Sequence, residues 1–361
     1  MAKTPAATVT AGEREVRVTN PDRVIYEATD RTPAVTKLQV CEYFVKVADA
    51  LMRTIRDRPT AMERWPNGYR EGMRLSTGHG DDGDGFYQKR LPKGAPDWIE
   101  TVRIAFPSGR TAEELCPTEP AALVWAAQMG TLTLHPWPVR RPDVDHPDEL
   151  RLDLDPQPGV TFTDVRRVAL VARELLEELG LRGYPKTSGS RGIHIYVRIE
   201  PRHTFEDVRH AAIGFGRELE RRDGGVTTAW WKEERGERVF LDFNQNNRDR
   251  TIASAWSPRA RPGAPVSMPL TWDRLAELTD PREFTVFSAP ELLESHGDPW
   301  ADMDEHPSPL EPLLHLWETL PGGEMPFPPD YPKMPGEPPR VQPSKKVAAH
   351  WDEHGNRIAD R

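Results

Sequence analysis

The stretch "LRLDLDPQPG", Leu150 to Gly159, constrains the fold more than any other. Strict alternation of apolar and polar side chains has the period of a β-strand, in which residues i and i+2 share a face. Leu152 and Leu154 then face a core. Asp153 and Asp155 lie side by side on the other face, and Pro156, Pro158 and Gly159 end the strand. Two neighbouring carboxylates repel one another unless something positive sits between them. A solvent-facing pair is one reading. The other is a divalent cation, since hard ions such as Mg²⁺ or Mn²⁺ prefer carboxylate oxygens.

At 361 residues the chain has room for one large domain or two modest ones. An apolar fraction of 37% is enough for a sizeable core, and no apolar run reaches the roughly 18 residues of a membrane span. The first residues have no apolar signal core, so residues 1–15 read as a flexible arm. Cys41 and Cys116 cannot make a zinc site alone and fit a reducing cytoplasm. A net charge of −9 argues against a nonspecific nucleic-acid coat, but leaves room for a local basic groove.

Helical spacing runs through "TKLQVCEYFVKVADALMRTIRD", with Thr36 as N-cap. "TAMERWPNG" reads as a strand and turn. A Gly/Asp-rich loop containing "DDGDG" follows; it lacks the ligand pattern and terminal glutamate of a calcium loop. "EPAALVWAAQMG" is helical and "TLTLHPWPV" is a strand entering a rigid turn. The clearest helix spans Thr163 to Leu179, stopped by Gly180. "PKTSGSRGIHIYVRIE" reads as a Gly/Ser loop and strand, "FEDVRHAAIGFGRELERRD" as a helix, and "ERVFLDFNQN" as a strand carrying Asp242. Residues 16–305 are expected to form the catalytic body and residues 306–361 a Pro-rich extension that drapes over it or stays mobile.

Asp153, Asp155 and Asp242 are three carboxylates on two strands. Such a set can hold two Mg²⁺ or Mn²⁺ ions about 3.5–4 Å apart, as nucleotidyl transfer requires. The loop "TSGSRG" offers hydroxyls and unobstructed N–H groups for phosphate, with Arg191 adding charge. Alternation then turns His194 to the face opposite Ile193 and Ile195. A tight turn before an ordinary strand would look the same. His135 sits at a strand end, in a structural role or beside the substrate. Phe86 and Tyr87 next to Lys89 suit base stacking and phosphate contact, or simple burial. Arg259 and Arg261 could hold phosphate or be solvated loop charges. Trp230 and Trp231 read as packing. From the residues alone, the chemistry is two-metal phosphoryl transfer on an α/β scaffold. A two-metal nuclease and a non-catalytic DNA-end binding module are the rivals; the triphosphate-suited loop argues against a nuclease.

Together, "LDLDPQPG", "TSGSRGIHIYV" and "FLDFNQN", followed by "SPRARPGAPVSMPLTW" and preceded by "RWPNG", "FYQK", "GAPDW" and "LHPWP", resemble the polymerase domain of bacterial DNA ligase D. That domain belongs to the archaeo-eukaryotic primase superfamily. The resemblance runs from about Val16 to Pro290. It implies an α+β fold: a mixed, largely antiparallel sheet with flanking helices, similar to the RNA-recognition fold, plus an N-terminal module. It implies that Asp153, Asp155 and Asp242 bind the catalytic metals, that Ser188, Arg191, His194 and Arg259 meet the triphosphate, that His135 lies near the sugar, and that Phe86 or Tyr87 stacks on the base. Asn20, Arg23 and Lys37 would form a pocket for a 5′-phosphate, and Arg235 would lie on the template side. Relatives often carry a basic residue where Glu63 stands, which shifts triphosphate binding toward Arg64 and Lys89.

The implied activity is a bacterial, cytoplasmic, monomeric polymerase acting on primer-template DNA with NTPs or dNTPs. It would prefer ribonucleotides and be active with Mn²⁺. No K-x-D-G ligase motif follows, so a stand-alone polymerase working beside a separate ligase or end-binding protein is expected.

Overall fold

The computed structural model describes residues 5–76, 83–329 and 331–340. Asp81 and Asp82 of the "DDGDG" run lie outside these residues, and the calcium comparison with them. No helix of the described residues is long and apolar enough to cross a membrane.

The aspartate stretch forms the strand Glu149–Pro156 at the centre of a five-stranded sheet. Its neighbours are Ile193–Arg198 on one side and Val239–Leu241 on the other, both antiparallel; Gly183–Thr187 lies outside the former, and Val226–Thr227 pairs parallel with the latter. Two helices, Phe162–Glu178 and Phe205–Arg222, connect the strands. The order is β-α-β-β-α-β-β, with the first strand between the third and the fifth; setting aside the short fourth strand, Val226–Thr227, it is the split βαβ arrangement of the RNA-recognition fold. Both helices begin at capping boxes, Thr161 with Asp164 and Thr204 with Asp207. Val165, Val168, Ala172, Leu175 and Leu176 are sealed beneath Leu150, Leu152 and Leu154, each large aliphatic side chain contributing about 1.5–3 kcal/mol by burial.

A second sheet is built on Thr60–Arg64, which pairs with Phe86–Gln88, Thr131–Pro136 and, at one residue, Thr111–Leu115; the last also pairs with Thr101–Ala105. Residues 252–270 stitch the two sheets together. Ser254 N–H donates to the Leu134 carbonyl (2.8 Å) and Thr187 N–H to the Met268 carbonyl (2.9 Å). The polar face of the aspartate sheet is thereby roofed over, so Glu149, Arg151 and Asp153 are buried as well.

Three expectations change. Residues 6–11, assigned to a flexible arm, form the strand Ala6–Ala11 paired with Arg14–Thr19, because Val9, Ala11, Val16 and Val18 alternate into the core. The helix after Thr36 is two helices, Lys37–Lys46 and Ala48–Ile55, separated by Val47 at φ −103°, ψ 9°. Asp242 stands just past its strand, where its carboxylate accepts from Asn244 N–H and starts the short turn Phe243–Asn246.

Candidate functional site: a carboxylate-floored cleft

Register places the chemistry. Asp153 pairs with His194, which pairs in turn with Lys186, and Asp155 pairs with Phe240. Period two puts Lys186, His194, Asp153 and Asp155 on one face. They lie beneath a cleft of about 360 Å³ lined by Tyr87, His135, Asp153, Asp155, Ser188, Arg191, His194, Arg259 and Arg261, among others. Asp242 sits beside its floor, its N–H donating to the Asp153 carbonyl (3.0 Å).

All three carboxyls are harder to ionise than usual. Burial raises Asp153 well above the ordinary range, and the charges of Asp155 and Asp242 raise it further. Burial and then Asp155 push Asp242 up to about 6. Asp155 reaches solvent at the mouth, yet it too is raised, first by desolvation, against the pull of Arg235, Arg191 and Arg259. Asp153 Oδ1 is buried without a hydrogen-bond partner; His194 Nε2 stands 3.3 Å away without hydrogen-bond geometry. An orphaned carboxylate oxygen flanked by two further carboxylates is a donor set that fits a hard divalent cation. The three aspartates are not gathered as tightly as Glu206, His210 and Glu324, whose ligand atoms lie within 4.8 Å of one another.

Lys186, which the sequence reading passed over, explains how His194 is held. Its buried Nζ meets His194 Nδ1 (2.8 Å) and donates to Ser267 Oγ (2.5 Å), and burial, then the Arg259 charge, lowers its pKa well below the ordinary lysine value. Burial, then the Lys186 charge, keeps the imidazole neutral. With Nδ1 accepting, Nε2 carries the proton toward Asp153. The signal was available: Lys186 precedes the "TSGSRG" loop with the parity that places it opposite His194.

The loop itself is partly spent on its own shape. Ser190 and Gly192 N–H groups donate to Ser188 Oγ (3.2 and 3.0 Å), so two donors expected to face phosphate turn inward. Gly189 adopts φ +71°, and a Cβ there would lie 2.5 Å from Arg259 Cγ. Arg259 consequently packs against the loop and donates to the Ser188 carbonyl (2.6 Å). Charge at the cleft comes from Arg191, Arg259 and Arg261.

The opposite wall comes from the second sheet. Glu63 pairs with Tyr87 and, through Thr133, shares a face with His135. His135 Nε2 meets Glu63 Oε2 (3.0 Å), while Glu63 Oε1 accepts from Trp65 Nε1 (2.9 Å). Tyr87 stands edge-on to His135, centroids 5.1 Å apart, and is exposed. Arg64, Phe86 and Lys89 are not brought to the cleft. Arg64 and Phe86 have the other parity; Arg64 donates to the Met129 carbonyl (2.8 Å) and lies over Phe86. Lys89 pairs with Asp249 and lies over Phe106.

A family model described as "LigD, primase-polymerase domain" matches residues 36–300. The chain belongs to this family. It is 33% identical over 308 residues to the multifunctional non-homologous end joining protein LigD of Mycolicibacterium smegmatis, and 30% identical over 304 residues to that of Pseudomonas aeruginosa. These matches cover 84% and 83% of this chain, but only 38% and 34% of the two relatives. The polymerase domain of Mycobacterium tuberculosis ligase D in complex with DNA matches in structure with a TM-score of 0.71 at 29% identity, covering 81% of this chain and 99% of that one. The chain is therefore a primase-type polymerase, a nucleotidyltransferase, and the expected fold is the observed one.

Of two further groups, the first lies apart from the lining of this LigD-type cleft and the second, Arg235, stands at its edge. Asn20, Arg23 and Lys37 are drawn together by the backbone: Arg23 N–H donates to the Asn20 carbonyl (3.1 Å) and Lys37 N–H to the Arg23 carbonyl (2.8 Å). Asn20 has φ +50°. Burial, then the Arg23 charge, lowers the Lys37 pKa despite the Cys41 thiol. Arg235 Cζ lies over Phe240, 3.4 Å from the ring centroid, and the guanidinium donates to the carbonyls of Ala229 and Trp230. Since Phe240 pairs with Asp155, this cation flanks the carboxylates.

Proposed function

We propose that this chain is a divalent-cation-dependent, template-directed polymerase. It adds nucleotides, ribonucleotides by preference, to a 3′-hydroxyl at gaps, overhangs or breaks during non-homologous end joining. The observation that carries this reading is the orphaned Asp153 oxygen, beside Asp155 and Asp242, in a cleft whose rim carries three arginines. Asp153, Asp155 and Asp242 would hold two Mg²⁺ or Mn²⁺ ions, which when bound acidify the attacking hydroxyl and offset triphosphate charge.

The chain's own residues do the rest. Arg191, Arg259 and Arg261 meet the triphosphate, with Ser188 shaping the loop that carries the first of them. His194, neutral and held by Lys186, presents a donor beside Asp153. Tyr87 offers a ring to the incoming base and His135 a nitrogen to the sugar. Asn20, Arg23 and Lys37 take a downstream 5′-phosphate, and Arg235 lies along the template. In the reaction the 3′-oxygen bonds to the α-phosphorus, the bond from that phosphorus to the β-phosphate bridging oxygen breaks, and pyrophosphate leaves. The hydroxyl proton passes to solvent. The partners would be primer-template DNA, NTPs or dNTPs, and a separate ligase or end-binding protein.

The test is extension of a 5′-labelled primer across a short gap with a downstream 5′-phosphate, with Mn²⁺ or Mg²⁺ and either rNTPs or dNTPs. Wild type should extend, faster with rNTPs, and Asp153→Ala should not. Strand shortening without nucleotides would mark a nuclease instead, and no extension with either metal would end the polymerase reading.

A further inference from the structure

The helix Phe205–Arg222 buries Arg209 completely, and the polar contacts of that guanidinium lead away from the helix. Nε donates to Asn244 Oδ1 (2.9 Å), Nη1 to Glu324 (2.5 Å) and Nη2 to the Met325 carbonyl (2.7 Å). Its Cζ lies over Phe327, 3.8 Å from the ring centroid. One buried cation thus joins a turn beside the cleft to a segment beyond residue 300, where the match to the family model ends.

Asn244 completes the connection. Its Nδ2 donates to the Pro326 carbonyl (3.0 Å), and its backbone N–H donates to Asp242 Oδ1 (3.0 Å). A chain of direct bonds therefore runs from residues 324–326 to a carboxylate of the site. The segment is fastened further along as well. Buried Glu337 accepts from Phe327 N–H (2.7 Å) and pairs with Arg340, and Tyr331 donates to the Arg248 carbonyl. The cluster of Glu206, His210 and Glu324 belongs to this fastening. Both Glu324 oxygens are engaged, one by Arg209 and the other by His210 (2.7 Å), so it acts as a clamp and not as a cation site.

We propose that residues 322–329, fastened with residues 331–340, are an intramolecular brace for Asp242, with Arg209 and Asn244 as positioning residues. This rests on the reading of Asp242 as a cation ligand. A carboxylate beside two like charges is held in place only if its surroundings oppose their repulsion. Partners one bond removed from a ligand commonly change metal affinity by about 10–100-fold. That partner of Asp242 is Asn244, and the brace holds Asn244 from outside the residues that the family model matches.

Mn²⁺ binding to the nucleotide-free, full-length protein, read from the free-ion electron paramagnetic resonance signal, tests it. Asn244→Ala cuts the side-chain link yet keeps the N–H that serves Asp242; Glu324→Gln loosens the clamp at its half-buried end. Asp242→Ala is the reference, and circular dichroism identifies folded variants. Both brace variants should bind Mn²⁺ about tenfold more weakly while remaining folded, and Asn244→Asp, which keeps an acceptor for Arg209, should recover part of the loss. Wild-type affinity in either folded brace variant, beside a weakened Asp242→Ala, overturns the brace alone. Wild-type affinity in Asp242→Ala removes the ligand reading and the brace with it.

Discussion

A single buried carboxylate, Glu63, decides what His135 can offer the cleft. Its carboxyl is held below the usual range: burial alone would raise it, but hydrogen bonds from His135 and Trp65 and the nearby Arg259 charge together outweigh that, while burial lowers the His135 pKa and favours its neutral ring. An ionised carboxylate only accepts, so Nε2 of His135 carries the proton and Nδ1 is left as an acceptor. Glu63→Ala should release the ring, raising the nucleotide KM several-fold and lowering stability by about 1–3 kcal/mol, the usual cost of stranding buried polar partners. Glu63→Gln, whose amide oxygen can still accept, should keep most of both; steady-state kinetics and thermal melts separate the two variants. Unchanged KM in Glu63→Ala would remove His135 from substrate binding. The sequence could name Asp153, Asp155 and His194, because alternation reports which face a side chain takes. It could not pair Glu63 with His135, since that contact spans 72 residues and depends on which strands become neighbours. Parity did speak against Arg64 and Phe86: with Glu63 and Tyr87 on the cleft face, their neighbours must turn away.

Among the elements, those with local signals were legible. The Thr36 cap and the period-two strands were read directly; the capping boxes at Thr161 and Thr204, though equally local, were passed over, and the first of these helices starts at Phe162 instead of Thr163. The packing of the helix Glu311–Thr319 onto Phe205–Arg222 was not legible, because it turns on one glycine. A Cβ on Gly214 would lie 2.6 Å from Trp317 N and 2.8 Å from the Leu313 carbonyl, both backbone atoms that no rotamer change can move. The absent side chain is what lets the helices approach this closely. Gly214→Ala should therefore force the later helix outward. Relief of helical propensity, about 1 kcal/mol in alanine's favour, competes with overpacking, which costs about 1–3 kcal/mol. Because the clash is with backbone, we expect net destabilisation, seen as a lower melting temperature, with fluorescence of Trp317 shifted to the red. A more stable Gly214→Ala would mean that the two helices can separate freely.

At the scale of the whole molecule, the two sheets meet through buried charge as much as through apolar contact. Arg58 donates to both oxygens of Asp148 (2.6 and 2.8 Å) and pairs with Glu149 (2.9 Å), while Arg198 reaches both carboxylates. Burial would raise the Asp148 carboxyl, but Arg58 and Arg198 hold it well below the usual range. Such pairing keeps its contribution above the ordinary carboxylate pKa and loses it only in acid. Glu114 behaves oppositely. It is buried, one oxygen accepting from Trp137 Nε1 (3.0 Å) and the other without a partner. Burial, only partly countered by Lys89, pushes its pKa from the ordinary 4.5 to about 8. The folded chain therefore holds a proton that the unfolded chain releases as pH rises. The stability linked to Glu114 is full below about pH 4.5, declines as the unfolded state ionises, and is gone once the folded state ionises near pH 8. Urea midpoints should accordingly fall between about pH 5 and pH 8 in the wild type and stay nearly level in Glu114→Gln, whose neutral amide cannot ionise. The substitution should thus stabilise the protein most at the alkaline end. An equal decline in both proteins would show that Glu114 ionises at its ordinary pH and that the linkage lies elsewhere in the buried charge network.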